Sequence, residues 1–306
     1  MAPEKRSGSS LLSGMGNRLS RARLYARWLR HEVPHDPRYE IYARSEARRN
    51  RAAFLAERAE GPQARIRKLE PFGNGEIPRI VWMYWHQGEE GAPFVVRRCI
   101  ESWRRCNPGW EVRVLDGQSV AEAADMSDVP EVLPFRFRAD LLRVRLLKQH
   151  GGVWADATVY CHRPLEEWLP LQTLTGFFAF RHPGPGRWIA SWFMASTKGH
   201  PIPSAWEEAF TPYQRRLRYV PDMYFTFFYL LQWRLKRDPG LMAAWRRAPS
   251  LPAQAGLFMI ETLRGNLPED RLRAVLAQGV PVSKLSWKEG LEEAAFDSLC
   301  ARLGTG

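Results

Sequence analysis

The chain has 306 residues, 45% of them hydrophobic and 25% charged, and a formal net charge of +12. That composition excludes a disordered chain and supplies apolar material for one large core or two modest ones. No apolar run approaches the ~18–20 residues that span a bilayer; the longest, Met223 to Trp233, is interrupted by Thr226 and Gln232. Leu11 and Leu12 are followed by Ser, Gly, Asn and Arg rather than by the apolar core of a secretory signal. Cys99, Cys106, Cys161 and Cys300 lie far apart with no CxxC pair. This argues against structural zinc or a disulfide framework and for reduced thiols in a cytoplasmic protein.

Residues 1–68 hold sixteen Lys or Arg against seven Asp or Glu, so nine of the twelve net charges lie there. Charge gathered at one end predicts a basic arm, not a nucleic-acid-binding surface on the main domain. Within residues 18–30, Leu19, Leu24, Trp28 and Leu29 interleave with Arg18, Arg21, Arg23, Arg27 and Arg30 at helical spacing. Such a helix either packs on the main domain with its Arg face in solvent or lies on an anionic leaflet as a peripheral anchor. A second helix is predicted over residues 37–69. The Gly and Pro residues of 71–75 then divide a basic helical extension, residues 1–70, from a main domain, residues 71–306.

The main domain opens with a buried strand from Ile80, rich in apolar and aromatic residues, followed by a loop over Gln87 to Gly91. Val96, Cys99, Ile100 and Trp103 give the next segment, Pro93 to Cys106, one apolar helical face, and Asn107-Pro108-Gly109 ends it. Glu111 to Leu115 alternates as a second strand. This rhythm of strand, helix and strand predicts an α/β fold around one central sheet. Further on, Arg181 to Gly186 reads as a loop from its Pro and Gly content.

Residues 135–160 carry the most information. Arg136 to Gln149 is a predicted helix stopped by Gly151-Gly152, and Val153-Trp154-Ala155 is a short buried strand with Asp156 at its carboxyl end. Ligands of open α/β sheets bind at that end of the strands, so Asp156 is a candidate for holding a metal or a ribose. Arg136, Asp140 and Arg143 recur four and three apart and share one helix face. An acid and a base so placed are by themselves an ordinary surface pair, worth ~0–1 kcal/mol. The glycine stop and the strand-end carboxylate beside them argue for a site.

Arg138-Ala139-Asp140-Leu141-Leu142-Arg143, followed by Gly151-Gly152-Val153-Trp154-Ala155-Asp156-Ala157-Thr158, resembles the sugar-binding region of DXD-type glycosyltransferases. The chain looks most like the capsular polysaccharide synthesis protein family and is more distantly similar to glycosyltransferase family 32 and the large clostridial glucosylating toxins. Ile77 to Trp82, Ser102 to Trp110, and Trp192 to Ala195 with Lys198 to Pro201 resemble further segments of the family. The likeness is good over residues 77–169, looser to 287, and does not include residues 1–70.

The resemblance implies a GT-A-like fold, a mixed central sheet flanked by helices, with a nucleotide-sugar donor at the sheet edge. It implies that Trp82 stacks on a uracil base, that Asp140 and Arg143 hold the donor sugar and the diphosphate side, and that Asp156 contacts the ribose and a divalent cation, Mn2+ or Mg2+. Tyr84, Arg136, Lys284 and Trp287 complete the implied donor-binding set, the segment from Lys284 to Lys288 closing over the diphosphate. Thr158 stands where family 32 and the toxins carry the second Asp of D-x-D, a weaker, neutral ligand that puts the metal in question. The implied reaction is transfer of a sugar from a UDP-linked donor to a glycan or glycolipid in polysaccharide synthesis, with retention of configuration. Asp222 is the candidate base for an inverting alternative. The competing function is a nucleotide-sugar- or carbohydrate-binding protein that kept the fold without the catalysis.

Overall fold

The computed structural model describes residues 76–184, 187–217, 225–288 and 290–304. The predicted extension, its segment 18–30 and Asp222 lie outside these residues. The central sheet has five strands: β1 (Ile80–Tyr84), β2 (Glu111–Leu115), β3 (Gly152–Ala155), and the long hairpin β5 (Phe177–Gly184) and β6 (Arg187–Ser196). Their order is β2-β1-β3-β6-β5, with β1 parallel to both β2 and β3, and β6 antiparallel to β3 and β5. The expected mixed sheet is therefore present. Two short strands, β4 (Val159–Cys161) and β7 (Val282–Lys284), form a separate antiparallel ribbon.

Side chains alternate across a strand, and the two faces of this sheet build two cores. Trp82, Trp154, Phe177, Ala179 and Met194 pack with α3 (Phe135–Gln149), α5 (Pro201–Arg215), α6 (Thr226–Arg237) and α7 (Pro239–Arg247). Val81, Met83, Val153, Phe178, Phe180 and Phe193 pack on the other face with α1 (Phe94–Cys106) and α4 (Leu165–Gln172). The short helix α2 (Val120–Ala123) lies beside the first core, and α8 (Phe258–Leu263), α9 (Glu269–Ala277) and α10 (Glu293–Leu303) close a third cluster against α1. No helix among the described residues is long and apolar enough to cross a membrane.

The predicted strands and helices of residues 80–155 begin and end within one or two residues of the observed ones. Two readings change. The Arg181–Gly186 loop is a correction: Arg181 to Gly184 continues β5, pairing across register shifts with Ile189 and Arg187 of β6. Pro183 and Gly184 are accommodated by that irregular pairing, and Pro185 and Gly186 lie outside the described residues. Helix α3 is more enclosed than the surface pair expected of Asp140 and Arg143 alone would suggest: Phe137, Leu141, Leu142, Val144, Leu146 and Leu147 bury it on several sides, together with Arg143 and Arg145. The Arg145 guanidinium is paired with Asp128 at 2.7 Å and Glu207 at 3.2 Å, tying α3 to α5.

Gly151 and Gly152 adopt φ of +72° and +93°. A Cβ on Gly152 would stand 2.6 Å from Ile80 Cγ2 and 2.7 Å from the Ile80 carbonyl oxygen. Only glycine lets β3 begin against β1 directly after α3. Gly152→Ala is expected to cost at least ~2 kcal/mol in chemical denaturation, from left-handed strain and the clash together.

His200 caps α5. Its Nδ1 accepts from the Ile202 N–H at 3.2 Å, so the proton sits on Nε2, 3.2 Å from the Thr175 carbonyl. Burial pushes its pKa down to about 4, and the Thr175 carbonyl only partly opposes this. The unfolded chain takes up a proton near pH 6.5 that the folded chain refuses until about 4. The stabilisation is therefore complete above pH 6.5 and lost as pH falls toward 4, by up to ~1.4 kcal/mol per pH unit. His200→Asn, which keeps a capping acceptor, is expected to flatten the pH dependence of unfolding free energy in that window.

Candidate active site

Arg136, Asp140 and Arg143 recur on one stripe of α3 and face an open cavity of about 670 Å³. Opposite them, β1 and β3 end at Tyr84 and Ala155, and Trp85 and Asp156 follow directly. The third wall is the stretch after β7, from Lys284 to Lys288, and Arg187, Ser191 and Trp192 of β6 complete the lining.

At the centre is the guanidinium of Arg143, whose side chain is 8% exposed. It lies 3.2 Å from Asp140 Oδ1 and 3.5 Å from Asp156 Oδ1. Its Nε donates to the Ala139 carbonyl at 3.2 Å, one Nη donates to Ser191 Oγ, and Trp154 lies beneath it with the ring centroid 5.3 Å away. The pair read from sequence as a possible surface bridge is thus buried and shared between two carboxylates.

The carboxylates have different environments. Burial pushes Asp140 up to about 7; Arg143 opposes the rise and the charge of Asp156 adds to it. Burial also acts on Asp156, but Lys284, Arg143 and the Trp154 indole outweigh it and hold the carboxyl below its ordinary value. Trp154 Nε1 donates to Asp156 Oδ1 at 2.9 Å, and Lys284 Nζ lies 3.3 Å from Oδ2. Asp156 stays ionised at neutral pH, while Asp140 is poised between forms. Two carboxylates separated in this way can divide the roles of charge-bearing and proton-sharing group.

The Lys284 ammonium also donates to Thr158 Oγ1. The backbone fixes this arrangement: Lys284 pairs with Val159 across the ribbon, and Leu285 N donates to the Thr158 carbonyl at 2.8 Å. Asp156 and Thr158, the expected cation ligands, are brought together, but around a lysine. Among the described residues no three His, Cys, Asp or Glu side chains converge to hold a metal ion. One carboxylate already sharing its oxygens with two cations, beside one hydroxyl, does not fit a resident divalent ion, which takes several oxygen ligands.

Trp82 needs correction. It is 1% exposed, is absent from the cavity wall, and donates its indole N–H to the Gly151 carbonyl at 3.0 Å. It lies on the same face of β1 as Tyr84 but deeper under the sheet, where it cannot stack on a ligand. The aromatic residues lining the cavity include Tyr84, Trp85, Trp192, Phe225 and Trp287, and Trp85 and Trp287 meet edge to face at 5.5 Å. Tyr84, Arg136, Asp140, Arg143, Asp156, Thr158, Lys284 and Trp287 all line the cavity. Sequence reasoning missed Arg187 and Ser191. Ser191, a lone polar residue in the apolar run of β6, was the one with a readable signal.

Residues 40–303 match the family described as capsular polysaccharide synthesis protein. The match begins inside the segment expected to form the N-terminal extension. The O-glycosyltransferase braB of Annulohypoxylon truncatum is 30% identical over 153 residues, 42% of this chain and 36% of that protein. The O-glycosyltransferase PaGT of Phomopsis amygdali is 29% identical over 178 residues, 47% of this chain and 44% of that protein. The chain therefore spans less than half the length of these curated relatives. Among solved structures, the PaToxG glycosyltransferase is similar at 14% identity and a TM-score of 0.39, over 88% of this chain and 97% of that one. The galactosyltransferase LgtC is similar at 11% identity and a TM-score of 0.35, over 74% and 95%. With the match running through both sheets and the whole cavity wall, the chain belongs to the capsular polysaccharide synthesis protein family.

Proposed function

We propose that this chain is a glycosyltransferase that moves a hexosyl unit from a UDP-linked donor to a hydroxyl of a glycan or glycolipid in polysaccharide synthesis, with retention of configuration. The observation that carries the reading is the convergence of Asp140, Arg143 and Asp156 on an open cavity of about 670 Å³ at the carboxyl ends of β1 and β3. The volume suits a drug-sized or nucleotide-sized ligand. The names of the relatives support the chemistry. The four cysteines are free thiols, in keeping with a cytoplasmic site of action at or near the inner membrane face.

In this reading Asp140 accepts hydrogen bonds from donor-sugar hydroxyls, and Arg143 holds it and Asp156 in register while offering N–H groups to the donor. The faces of Tyr84 and Trp287 offer the flat surface a uracil needs. The bond between the anomeric carbon and the leaving phosphate oxygen breaks as the acceptor oxygen bonds the same carbon. On the retaining course the acceptor proton passes to the leaving phosphate oxygen. Negative charge grows on that diphosphate, and fixed cations aimed at it lower the barrier. A second reading, a binding protein without turnover, is favoured by Thr158 in place of a second carboxylate; release of sugar from the donor separates the two.

Asp140→Asn and Asp156→Asn are expected to reduce donor turnover by about 10²–10⁴-fold, the loss of one or two charge-assisted hydrogen bonds in a desolvated site. Full activity in either variant would remove the assignment. Because burial disfavours its charge, Asp140→Asn is also expected to melt no lower than the wild type at pH 7–8, separating chemistry from folding.

The aromatic residues should divide in the same way. Trp287 is 48% exposed. Trp287→Ala is expected to weaken UDP binding by the ~1–3 kcal/mol of a lost base stack and leave stability unchanged. Trp82→Ala is expected to cost ~3–5 kcal/mol of stability through cavity formation. Calorimetric titration and chemical denaturation of each variant check both.

A further inference from the structure

We propose that Lys284 is a built-in counter-ion for the donor diphosphate, so that nucleotide binding at this site does not depend on a divalent metal. This deepens the reading of the cavity as a nucleotide-sugar site and rests on it. Three observations carry it. The ammonium stands between Asp156 Oδ2, at 3.3 Å, and Thr158 Oγ1, the two groups that would otherwise offer oxygens to a cation. Its position is set by backbone pairing, Val159 opposite Lys284 and Leu285 N on the Thr158 carbonyl, and Thr158 is 6% exposed. The opposite oxygen of Asp156 is occupied by Trp154 Nε1 and Arg143.

The charge around the cavity agrees. Its wall carries Arg136, Arg143, Arg187, Lys284 and Lys288 against the carboxyls of Asp140 and Asp156. Among the described lining residues cations outnumber carboxyls, the sign that a diphosphate needs. A metal ion at Asp156 and Thr158 would have to displace an ammonium already hydrogen-bonded there. The exchange of a second Asp for Thr158 has the same logic: a neutral hydroxyl accepts from the lysine without adding negative charge for a metal to neutralise.

The test is calorimetric titration of UDP into the full chain in EDTA and, separately, in Mn2+, with Mn2+ binding followed by electron paramagnetic resonance. The wild type is expected to bind UDP in EDTA within about threefold of its affinity in Mn2+, and to show no UDP-dependent loss of the free Mn2+ signal. Lys284→Met, which keeps the apolar stem, is expected to lose at least about tenfold in EDTA, and Lys284→Arg to retain most of the affinity. The double variant Lys284→Ala with Thr158→Asp is expected to bind UDP only with Mn2+. Wild-type binding that requires Mn2+, or that is about tenfold or more tighter with it, overturns the role of Lys284 and leaves the donor site standing. Failure to bind UDP under either condition overturns both.

Discussion

A buried guanidinium is tolerated only where its donors are satisfied and its charge is met, and the cavity-facing half of this molecule is arranged around one. Arg143 reaches Asp140 on its own helix, Asp156 at the end of a strand, and Ser191 on a second strand. These contacts fix the middle of α3, the carboxyl end of β3 and the middle of β6 relative to one another. Without Arg143, Asp140 and Asp156 would be two carboxyls facing a common cavity with less to hold them ionised. With it, one stays charged and the other sits near neutrality.

The surroundings supply rigidity at the next turn. Arg145 joins α3 to Asp128 and to Glu207 of α5, and Lys148 adds a second contact to Glu207 at 2.6 Å. The Trp103 indole donates to the Val159 carbonyl at 2.8 Å, holding the start of the β4–β7 ribbon against α1. Arg143 and Asp140 are thus carried on a helix and Lys284 on a strand, with Asp156 and Thr158 in the tight turn between β3 and β4, while Trp287 on the aromatic rim is more open. This is the usual division between a preorganised charge site and a more adaptable recognition surface.

Much of this was legible in the chain. The strands at Ile80 and Glu111, the helix at Phe135 and the glycine stop all follow from apolar periodicity and backbone freedom, while the company of Asp140, Arg143 and Asp156 followed from the family resemblance. What escaped was depth and distance. Trp82 and Tyr84 have the same parity on β1, and parity says which face a residue takes, not how far under the sheet it lies. Arg181 to Gly184 carries turn-forming residues, yet a neighbouring strand with register shifts accepts them. The role of α3 as a central element was hidden because its apolar residues spread around the axis, which weakens the one-sided signal. The place of Lys284 depends on a pairing between segments 126 residues apart in the chain, which no local pattern encodes.

That separation has a bearing on how the protein is made. Strand β7 is the partner of β4, yet it is synthesised after α5, α6, α7, α8 and α9. A growing polypeptide holds Asp156 and Thr158 long before it contains the lysine that bridges them. Contacts of such long range form late, after the closure of a large loop. On the ribosome, then, β4 emerges well before the strand that pairs with it, and a product ended before Val282 lacks the lysine that joins Asp156 to Thr158.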